Sequence, residues 1–220
     1  MKIHIGRSSL SSDLTRYAAE FDLLEVRIDP PAPRGQKLRA WRRSVPADFA
    51  FSLVVPRILA ALEPQALASG EVDAALTAAE AVGARFFLLQ TPASVRPSER
   101  TKQRLSELTQ RLVASGLPLA WEPRGIWGER EAERWAEELG LDLVRDLSRM
   151  DPPDSDRIYT RLLALGDGGR VRTSSVERVA ERLAGREEAF VVIEGDGARR
   201  AAQLLRELLG DDSAAEAVAP

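Results

Sequence analysis

Short apolar runs alternate with longer amphipathic segments along the whole chain. The short runs predict β-strands, and apolar residues at helical spacing predict α-helices. The predicted strands are Lys2–Gly6, Leu24–Ile28, Phe49–Val55, Arg85–Gln90, Leu117–Glu122, Asp142–Asp146, Arg157–Ala164 and Ala189–Glu194. The predicted helices are Ser12–Phe21, Gln36–Ser44, Glu71–Val82, Ser98–Ser115, Glu129–Leu139, Ser175–Leu183 and Ala198–Leu209.

Alternating strands and helices are typical of parallel sheets with right-handed crossovers. Eight such units predict an α/β fold, a compact (β/α)8 TIM-like barrel of one domain. The stretch from Leu147 to Asp156 contains two adjacent prolines and leaves little room for a sixth helix. The alternative is an open doubly wound sheet, which usually carries a Gly-x-Gly-x-x-Gly turn that is absent after strand one. We expect the domain to cover residues 1–210 and an Ala-rich, acidic tail at 211–220 to fray.

Two kinds of helix boundary are visible in the sequence. Ser174 and Glu177 have the spacing of a capping box at the start of a helix. Gly116 and Gly140 stand where two other helices should end.

Side chains alternate between the two faces of a strand, so each predicted strand has a helix-facing and a barrel-facing set. The apolar set faces the helices, and acids and arginines from several strands face the barrel. The barrel-facing residues of strands two, five and seven are Glu25, Arg27, Asp29, Ala120, Glu122, Arg124, Tyr159 and Arg161. These charges either neutralise one another in the interior or form a functional mouth. We favour the mouth, because buried ion pairs stabilise weakly and barrel active sites lie at the carboxyl ends of strands.

Composition narrows the chemistry that such a mouth performs. The chain has 28 arginines against three lysines, one histidine and no cysteine. The absence of cysteine excludes thiolate nucleophiles and thiolate metal sites, and a serine triad would have to use His4. His4 faces the barrel near the middle of strand one, where a core role is favoured over a catalytic one. Carboxylates and arginines are therefore the predicted catalytic groups.

Glu122 and Glu25 are the predicted catalytic acid and base, because two carboxylates in different environments divide those roles. Arg27, Arg124 and Arg161 are predicted to clamp a carboxylate or phosphate. The remaining predicted ligand-binding residues are Gln90, Trp127, Ser8 and Glu194. We predict no cofactor and no metal. A Mg²⁺ or Mn²⁺ site of carboxylates, drawn from Glu25, Glu122, Asp146 and Glu194, is the minority alternative, since the interleaved arginines repel a cation.

Two glycine-rich loops lead into predicted helices after strands seven and eight. Loops of this kind expose backbone N–H groups that bind anions, and phosphate commonly binds there in such barrels. The predicted anion-binding residues are Gly168, Gly169, Ser174, Gly195 and Gly197. The alternative is that these glycines only form turns.

The predicted partner is a small molecule, in part because the net charge of −3 gives no general affinity for polyanions. One segment, Arg34–Arg43, carries five cations around Trp41 and no acid. We interpret it as the solvated face of a helix that buries Leu38 and Trp41, and we keep nucleic-acid binding as the less favoured alternative. No apolar run of 18 residues predicts a membrane span, and the start of the chain does not resemble a signal peptide, so we expect a cytoplasmic location.

Glu122-Pro123-Arg124, followed by Trp127, is one of several motifs through which the chain resembles a known family. The family is the YecE-like proteins, called domain of unknown function 72, and the chain resembles a divergent member of it. The resemblance runs over nearly the whole length and implies a TIM-like barrel without an established activity. It is carried by Gly6-Arg7-Ser8-Ser9-Leu10, Tyr17, Phe21, Glu25, Trp41, Pro46, Phe49, Phe51, Pro56, Arg57, Gln90, Pro92, Glu122-Pro123-Arg124, Trp127 and Tyr159-Thr160-Arg161.

The chain departs from the family pattern mainly at polar positions. Leu10 stands for the family's first-strand Trp, Arg27 for an Asn, Pro31 for a Tyr and Val54 for a Lys. Family histidines are replaced in the stretch 58–61 and at Leu163, and Ile193-Glu194-Gly195 replaces Phe-Asn-Asn. These changes indicate either an altered ligand preference or a lost activity. We therefore hypothesise an enzyme acting on a small anionic or polyhydroxylated ligand, with a non-catalytic binding barrel and a nucleic-acid-processing protein as alternatives.

Overall fold

A computed structural model describes residues 1–10, 13–30, 33–163 and 171–210. Its strands are β1 Lys2–Arg7, β2 Leu23–Arg27, β3 Ala50–Val54, β4 Ala84–Thr91, β5 Leu119–Pro123, β6 Asp142–Leu143, β7 Arg157–Leu162 and β8 Glu188–Ile193. Its helices are α1 Leu14–Ala18, α2 Gly35–Arg43, α3 Arg57–Ala60, α4 Pro64–Leu67, α5 Glu71–Val82, α6 Glu99–Val113, α7 Glu129–Leu139, α8 Thr173–Leu183 and α9 Ala198–Leu209.

The eight strands form one sheet in the order β6-β5-β4-β3-β2-β1-β8-β7. The strands β1 and β8, β4 and β5, and β7 and β8 pair in parallel. In the first of these pairs, for example, His4 lies opposite Phe190. Outside these pairings, an isolated parallel bridge pairs Arg145 with Thr160 of β7. This is the predicted (β/α)8 TIM-like barrel fold.

The chain divides into two compact units. Unit 1 contains the described residues of Met1–Glu25, Val45–Ala50 and Arg145–Pro220. Unit 2 contains the described residues of Val26–Ser44 and Phe51–Val144. One domain over residues 1–210 stays a prediction, and the tail predicted at 211–220 lies outside the described residues.

Unit 1 is built on β1, β7 and β8, which pair side by side, with α8 and α9 packed against each other. Its core consists of aliphatic and aromatic side chains from these strands and helices, including Ile5, Ile158, Phe190 and Leu205. Unit 2 is built on β3–β6 with α2, α5, α6 and α7, and buries Phe51, Phe87 and Trp121 among others.

The helix pattern is predicted well where the chain is regular. Three helices, α5, α7 and α9, have the predicted bounds, and α7 ends at Gly140 with φ of 66° in the left-handed region. The short helices α3 and α4 were missed, because four residues are too few to show a helical period. The capping box was wrong: α8 begins at Thr173, its N-cap residue Arg172 makes no side-chain cap bond, and Ser174 lies inside the first turn.

Residues 144–156, all of them described, contain no helix, as the two prolines predicted. The strand predicted at Asp142–Asp146 is shorter in the structure. Its pairing with β5 ends at Leu143, and Arg145 makes only an isolated bridge. Arginine side chains instead bind the carbonyl oxygens of this loop. Arg178 donates to Ser148 at 3.0 Å, Arg182 to Leu147 at 2.8 Å and Arg186 to Ser155 at 2.9 Å. Side chains from α8 and the residues after it thus supply hydrogen bonds that a helix would have made internally.

Gly6 is required where β1 passes β2. A Cβ atom at this position would lie 1.7 Å from the carbonyl oxygen of Leu23, a backbone atom that is fixed by the pairing of the two strands. The backbones therefore approach more closely here than any side chain permits.

We expect Gly6→Ala to lower the free energy of unfolding by about 3 kcal/mol, since the added methyl group forces the two strands apart. Urea denaturation followed by circular dichroism measures this loss. Gly70→Ala is the matched control, because a Cβ there meets nothing within 4 Å. An equal effect of both substitutions would contradict the close-approach explanation.

Candidate functional site

Three polar side chains at the carboxyl ends of β2, β4 and β5 form a chain of hydrogen bonds in unit 2. The Arg27 Nη2 donates to Gln90 Oε1 at 2.8 Å, and Gln90 Nε2 donates to Glu122 Oε2 at 2.5 Å. Gln90 and Glu122 are register partners of the β4–β5 ladder. Because Gln90 lies between a donor and a carboxylate, the orientation of its amide is determined by the network.

Arg124 lies next to the same carboxylate. Its Nη2 is 3.4 Å from both oxygens of Glu122, and its side chain is 48% exposed against 12% for Glu122. The backbone N–H of Arg124 donates to Thr91 and so continues the strand pairing beyond β5. The structure therefore brings together four of the predicted site residues, Arg27, Gln90, Glu122 and Arg124.

A cavity of about 310 Å³ opens beside this chain of hydrogen bonds. Its lining residues are Arg27, Val54, Val55, Arg57, Ala60, Gln90, Pro92 and Arg124. Three of them are arginines, and none of these described lining residues is an acid. We call it the anion cavity after its three arginines, a residue type that binds carboxylates and phosphates through bidentate hydrogen bonds.

Arg57 belongs to the anion cavity but was not among the predicted site residues. It is the first residue of α3, directly after β3, and its backbone N–H donates to Asp29 Oδ1 at 2.8 Å. The rule that sites lie just beyond the carboxyl ends of barrel strands would have indicated it. In the sequence, Arg57 stands out only as part of the family pattern.

A second polar cluster lies in unit 1, on β2, β7 and β8. The Glu25 carboxylate is fully buried and accepts from Tyr159 Oη at 3.1 Å and from Arg161 Nε at 2.9 Å. Arg161 Nη2 lies 3.2 Å from the other Glu25 oxygen and 2.7 Å from Glu194 Oε1. One buried guanidinium is thus shared by two carboxylates, of which Glu194 is 32% exposed.

Two predicted ligand-binding residues lie apart from these clusters. Trp127 packs edge-on against Trp121 at 5.1 Å and against Trp135 of α7 at 4.9 Å between ring centroids. Trp121 precedes Glu122 on β5 and therefore faces the opposite side of the strand. Ser8 is half-buried directly after β1, in unit 1.

The predicted anion-binding loops are described only in part. Gly168 and Gly169 lie outside the described residues, and Ser174 is exposed in the first turn of α8. Gly195 has φ of 93°, and Gly197 is the N-cap residue of α9.

A cavity of about 230 Å³ beside α9 is lined by residues that include Arg7, Arg16, Glu20, Asp196 and Arg199. Arg199 forms an ion pair with Glu20 at 3.3 Å, so acids offset much of the positive charge here. Tyr17 also lines this cavity, and burial raises its pKa, which keeps the phenol protonated as a donor to the Leu23 carbonyl at 2.6 Å. The residues that line this cavity therefore carry less net positive charge than those of the anion cavity of unit 2.

His4 is a core residue, as the sequence favoured, and the basic segment forms a helix. His4 is buried, stacks on Phe190 at 4.9 Å and has Nε2 3.6 Å from Glu188, as expected of a core histidine. The helix α2 covers all of the segment Arg34–Arg43 except Arg34, its N-cap residue. It buries Leu38 as predicted, but Trp41, which was also expected to be buried, is only half-buried. Among the described residues, no three acids or histidines are grouped so that they would hold a metal ion.

None of the helices in the described parts of the chain is long and apolar enough to cross a membrane.

The fold and the polar residues at the strand ends define a (β/α)8 barrel whose candidate site has the location usual for that class. A family model described as "Protein of unknown function DUF72" matches residues 7–219. The chain therefore belongs to the DUF72 family, as the sequence motifs predicted. A comparison with curated protein sequences gives no match.

Solved structures support the same fold. A DUF72 family protein of Enterococcus faecalis is 19% identical with a TM-score of 0.72, and the match covers 95% of this chain and 98% of that one. A DUF72 family protein of Thermotoga maritima is 15% identical with a TM-score of 0.73, covering 96% and 100%. A xylose isomerase domain protein of Planctomyces limnophilus is 14% identical with a TM-score of 0.60, covering 97% and 98%.

We expect Arg161→Met to lower the free energy of unfolding at pH 7 by about 3–5 kcal/mol, because it leaves the buried Glu25 carboxylate without its main counter-charge. Glu194→Gln is the comparison, and it should cost no more than about 1 kcal/mol, since Glu194 is partly solvated. Chemical denaturation of both variants checks the difference. Equal losses would mean that Glu25 does not depend on Arg161.

Proposed function

We propose that this protein is an enzyme that binds a small anion, a carboxylate or a phosphate, in the anion cavity of unit 2. The observation that carries the proposal is the lining of that cavity by Arg27, Arg57 and Arg124 without an acid among its described residues. Three like charges around an empty space repel one another, and an anionic ligand relieves that repulsion while accepting bidentate hydrogen bonds.

The arginines differ in how firmly they are held, and this difference suits a binding site. Arg27 is oriented by Gln90, which is in turn oriented by Glu122. Arg124 is half-exposed and only loosely placed against Glu122, at 3.4 Å. An arriving anion thus meets one arginine already in position, and we expect Arg124 to move from Glu122 to the ligand.

Glu122 is the proposed group for proton transfer. It accepts a hydrogen bond from Gln90 and lies beside Arg124, and both of these residues line the anion cavity. A carboxylate released by Arg124 on ligand binding would have an oxygen available to accept a proton from the ligand. We assign Glu25 a positioning role, because its fully buried carboxylate is engaged by Tyr159 and Arg161 and holds the latter toward Glu194.

The second candidate is a non-catalytic binding barrel. This candidate is favoured by the hydrogen bonds that the Glu122 carboxylate already makes. It accepts one from Gln90, and Arg124 lies beside it. In that case Glu122 serves only to orient Gln90 and Arg27. The cytoplasmic location stays an expectation from the sequence.

Inorganic phosphate should bind wild-type protein, and Arg27→Gln should weaken that binding about tenfold or more, the usual effect of losing a charge-assisted hydrogen bond. Isothermal titration calorimetry at constant ionic strength, with chloride replacing phosphate, measures both affinities. Arg130→Gln is the matched control, since Arg130 is exposed on α7 and is not a lining residue of the anion cavity. Absence of phosphate binding to the wild type would contradict the proposal.

Glu122→Gln separates the two candidates. If the protein is an enzyme, turnover found by screening sugar phosphates and hydroxy acids with proton NMR should fall at least a hundredfold, while phosphate affinity is retained or rises. The rise is expected because the glutamine no longer competes with phosphate for Arg124. Turnover that survives the substitution would remove Glu122 from the mechanism. A wild type that binds phosphate and turns over none of these compounds would favour the binding barrel.

A further inference from the structure

A larger, mostly apolar cavity of about 670 Å³ lies in unit 2. We call it the apolar cavity. Its walls include Ile28 and Pro30 after β2, Pro56 and Ile58 after β3, and Leu38 of α2. One side is formed by α5, which presents the small residues Ala74, Thr77 and Ala78 at helical spacing. Its volume is in the range of pockets that enclose small organic molecules.

Ile58 is the most informative residue of this cavity. The Ile58 side chain is 52% exposed. A large aliphatic side chain in water lacks the favourable free energy that burial of its apolar surface would contribute. Leu38 on another wall is almost fully buried, so the cavity reaches from the surface to the edge of the core. An apolar group placed in the cavity would cover Ile58.

The apolar cavity adjoins the anion cavity at three places. Arg57 lines both of them. Arg27 lines the anion cavity while the next residue, Ile28, lines the apolar cavity, and Val55 and Pro56 divide in the same way. Consecutive residues of an extended segment point to opposite sides, so the two cavities lie on either side of the same strand ends with Arg57 between them.

We propose that the ligand of this protein is an amphipathic anion, with its carboxylate or phosphate in the anion cavity and an acyl or aryl group in the apolar cavity. This inference rests on the proposed function. Arg57 suits the junction, because its guanidinium binds the anionic group while its methylene stem and the proline beside it contact the apolar group. The apolar cavity also contains Asp29 and Glu71, which disfavour a second negative charge at that end of the ligand.

The first test compares n-hexyl phosphate with inorganic phosphate on the wild-type protein by isothermal titration calorimetry. We expect n-hexyl phosphate to bind at least tenfold more tightly, because its chain removes apolar surface from water on binding. n-Hexanol should bind at least tenfold more weakly than n-hexyl phosphate, since it lacks the charge. If hexanol binds as tightly as hexyl phosphate, the apolar cavity acts without the anion cavity and the proposal is wrong.

Two variants test the apolar cavity itself. Ile58→Ser removes an exposed apolar wall, and Ala74→Trp fills the space from an exposed position on α5. Both should abolish the tenfold advantage of n-hexyl phosphate and leave the affinity for inorganic phosphate unchanged. Val113→Ser is the matched control, because Val113 is an exposed aliphatic residue at the end of α6 that lines neither cavity.

The outcomes separate this inference from the proposed function. Phosphate that binds without any gain from the hexyl chain leaves the anion cavity intact and overturns the amphipathic ligand. If neither phosphate nor hexyl phosphate binds, the proposed function fails and the inference fails with it. A dimer in light scattering that Ile58→Ser dissociates, with hexyl phosphate affinity unchanged, would assign the apolar cavity to a second copy of the chain and also overturn the proposal.

Discussion

The pairing of buried charge is the constraint on which both polar clusters depend. A guanidinium or carboxylate that faces the interior loses its hydration, and it is tolerated only when an opposite charge and hydrogen bonds replace the water. In unit 1, Arg161 and Glu25 satisfy each other in this way, and Glu194 takes the remaining donor. In unit 2 the pairing of charges is incomplete. Glu122 accepts a hydrogen bond from Gln90, and the three arginines of the anion cavity outnumber this one carboxylate. The carboxylates of the first cluster thus enclose its one arginine, whereas arginines are in excess over Glu122 in the second.

The parts of this arrangement that could be predicted from the sequence are those governed by periodicity. The alternation of strand residues placed Glu25, Arg27, Glu122 and Arg161 on the polar side. In the structure Glu25 pairs directly with Arg161 in unit 1, and Gln90 joins Arg27 to Glu122 in unit 2. Which charges pair with which was not predictable, because partners such as Arg161 and Glu25 are 136 residues apart. The walls of the two cavities could not be predicted from the sequence either. They combine short loops with the four-residue helix α3, and neither shows a periodic pattern of apolar residues.

The departures from the family pattern gain a physical meaning from the anion cavity. The resemblance places a Lys on strand three, where this chain has Val54, and an Asn on strand two, where it has Arg27. Both positions line the same cavity. Under the proposed function, the positive charge would come from Arg27 on the neighbouring strand, as a planar guanidinium in place of an ammonium group. A guanidinium offers an anion a planar pair of donors, whereas an ammonium group is a point charge.

The loop between β6 and β7 is held in place by arginine side chains. Its carbonyl oxygens are held by the long side chains of Arg178, Arg182 and Arg186, which belong to α8 and the turn after it. A segment fastened in this way has little stability of its own. The loop and α8 should consequently open as one cooperative unit, so that amide protons of the two segments exchange with solvent at a common rate. The order of the loop between β6 and β7 thus depends on α8 as well as on the loop itself.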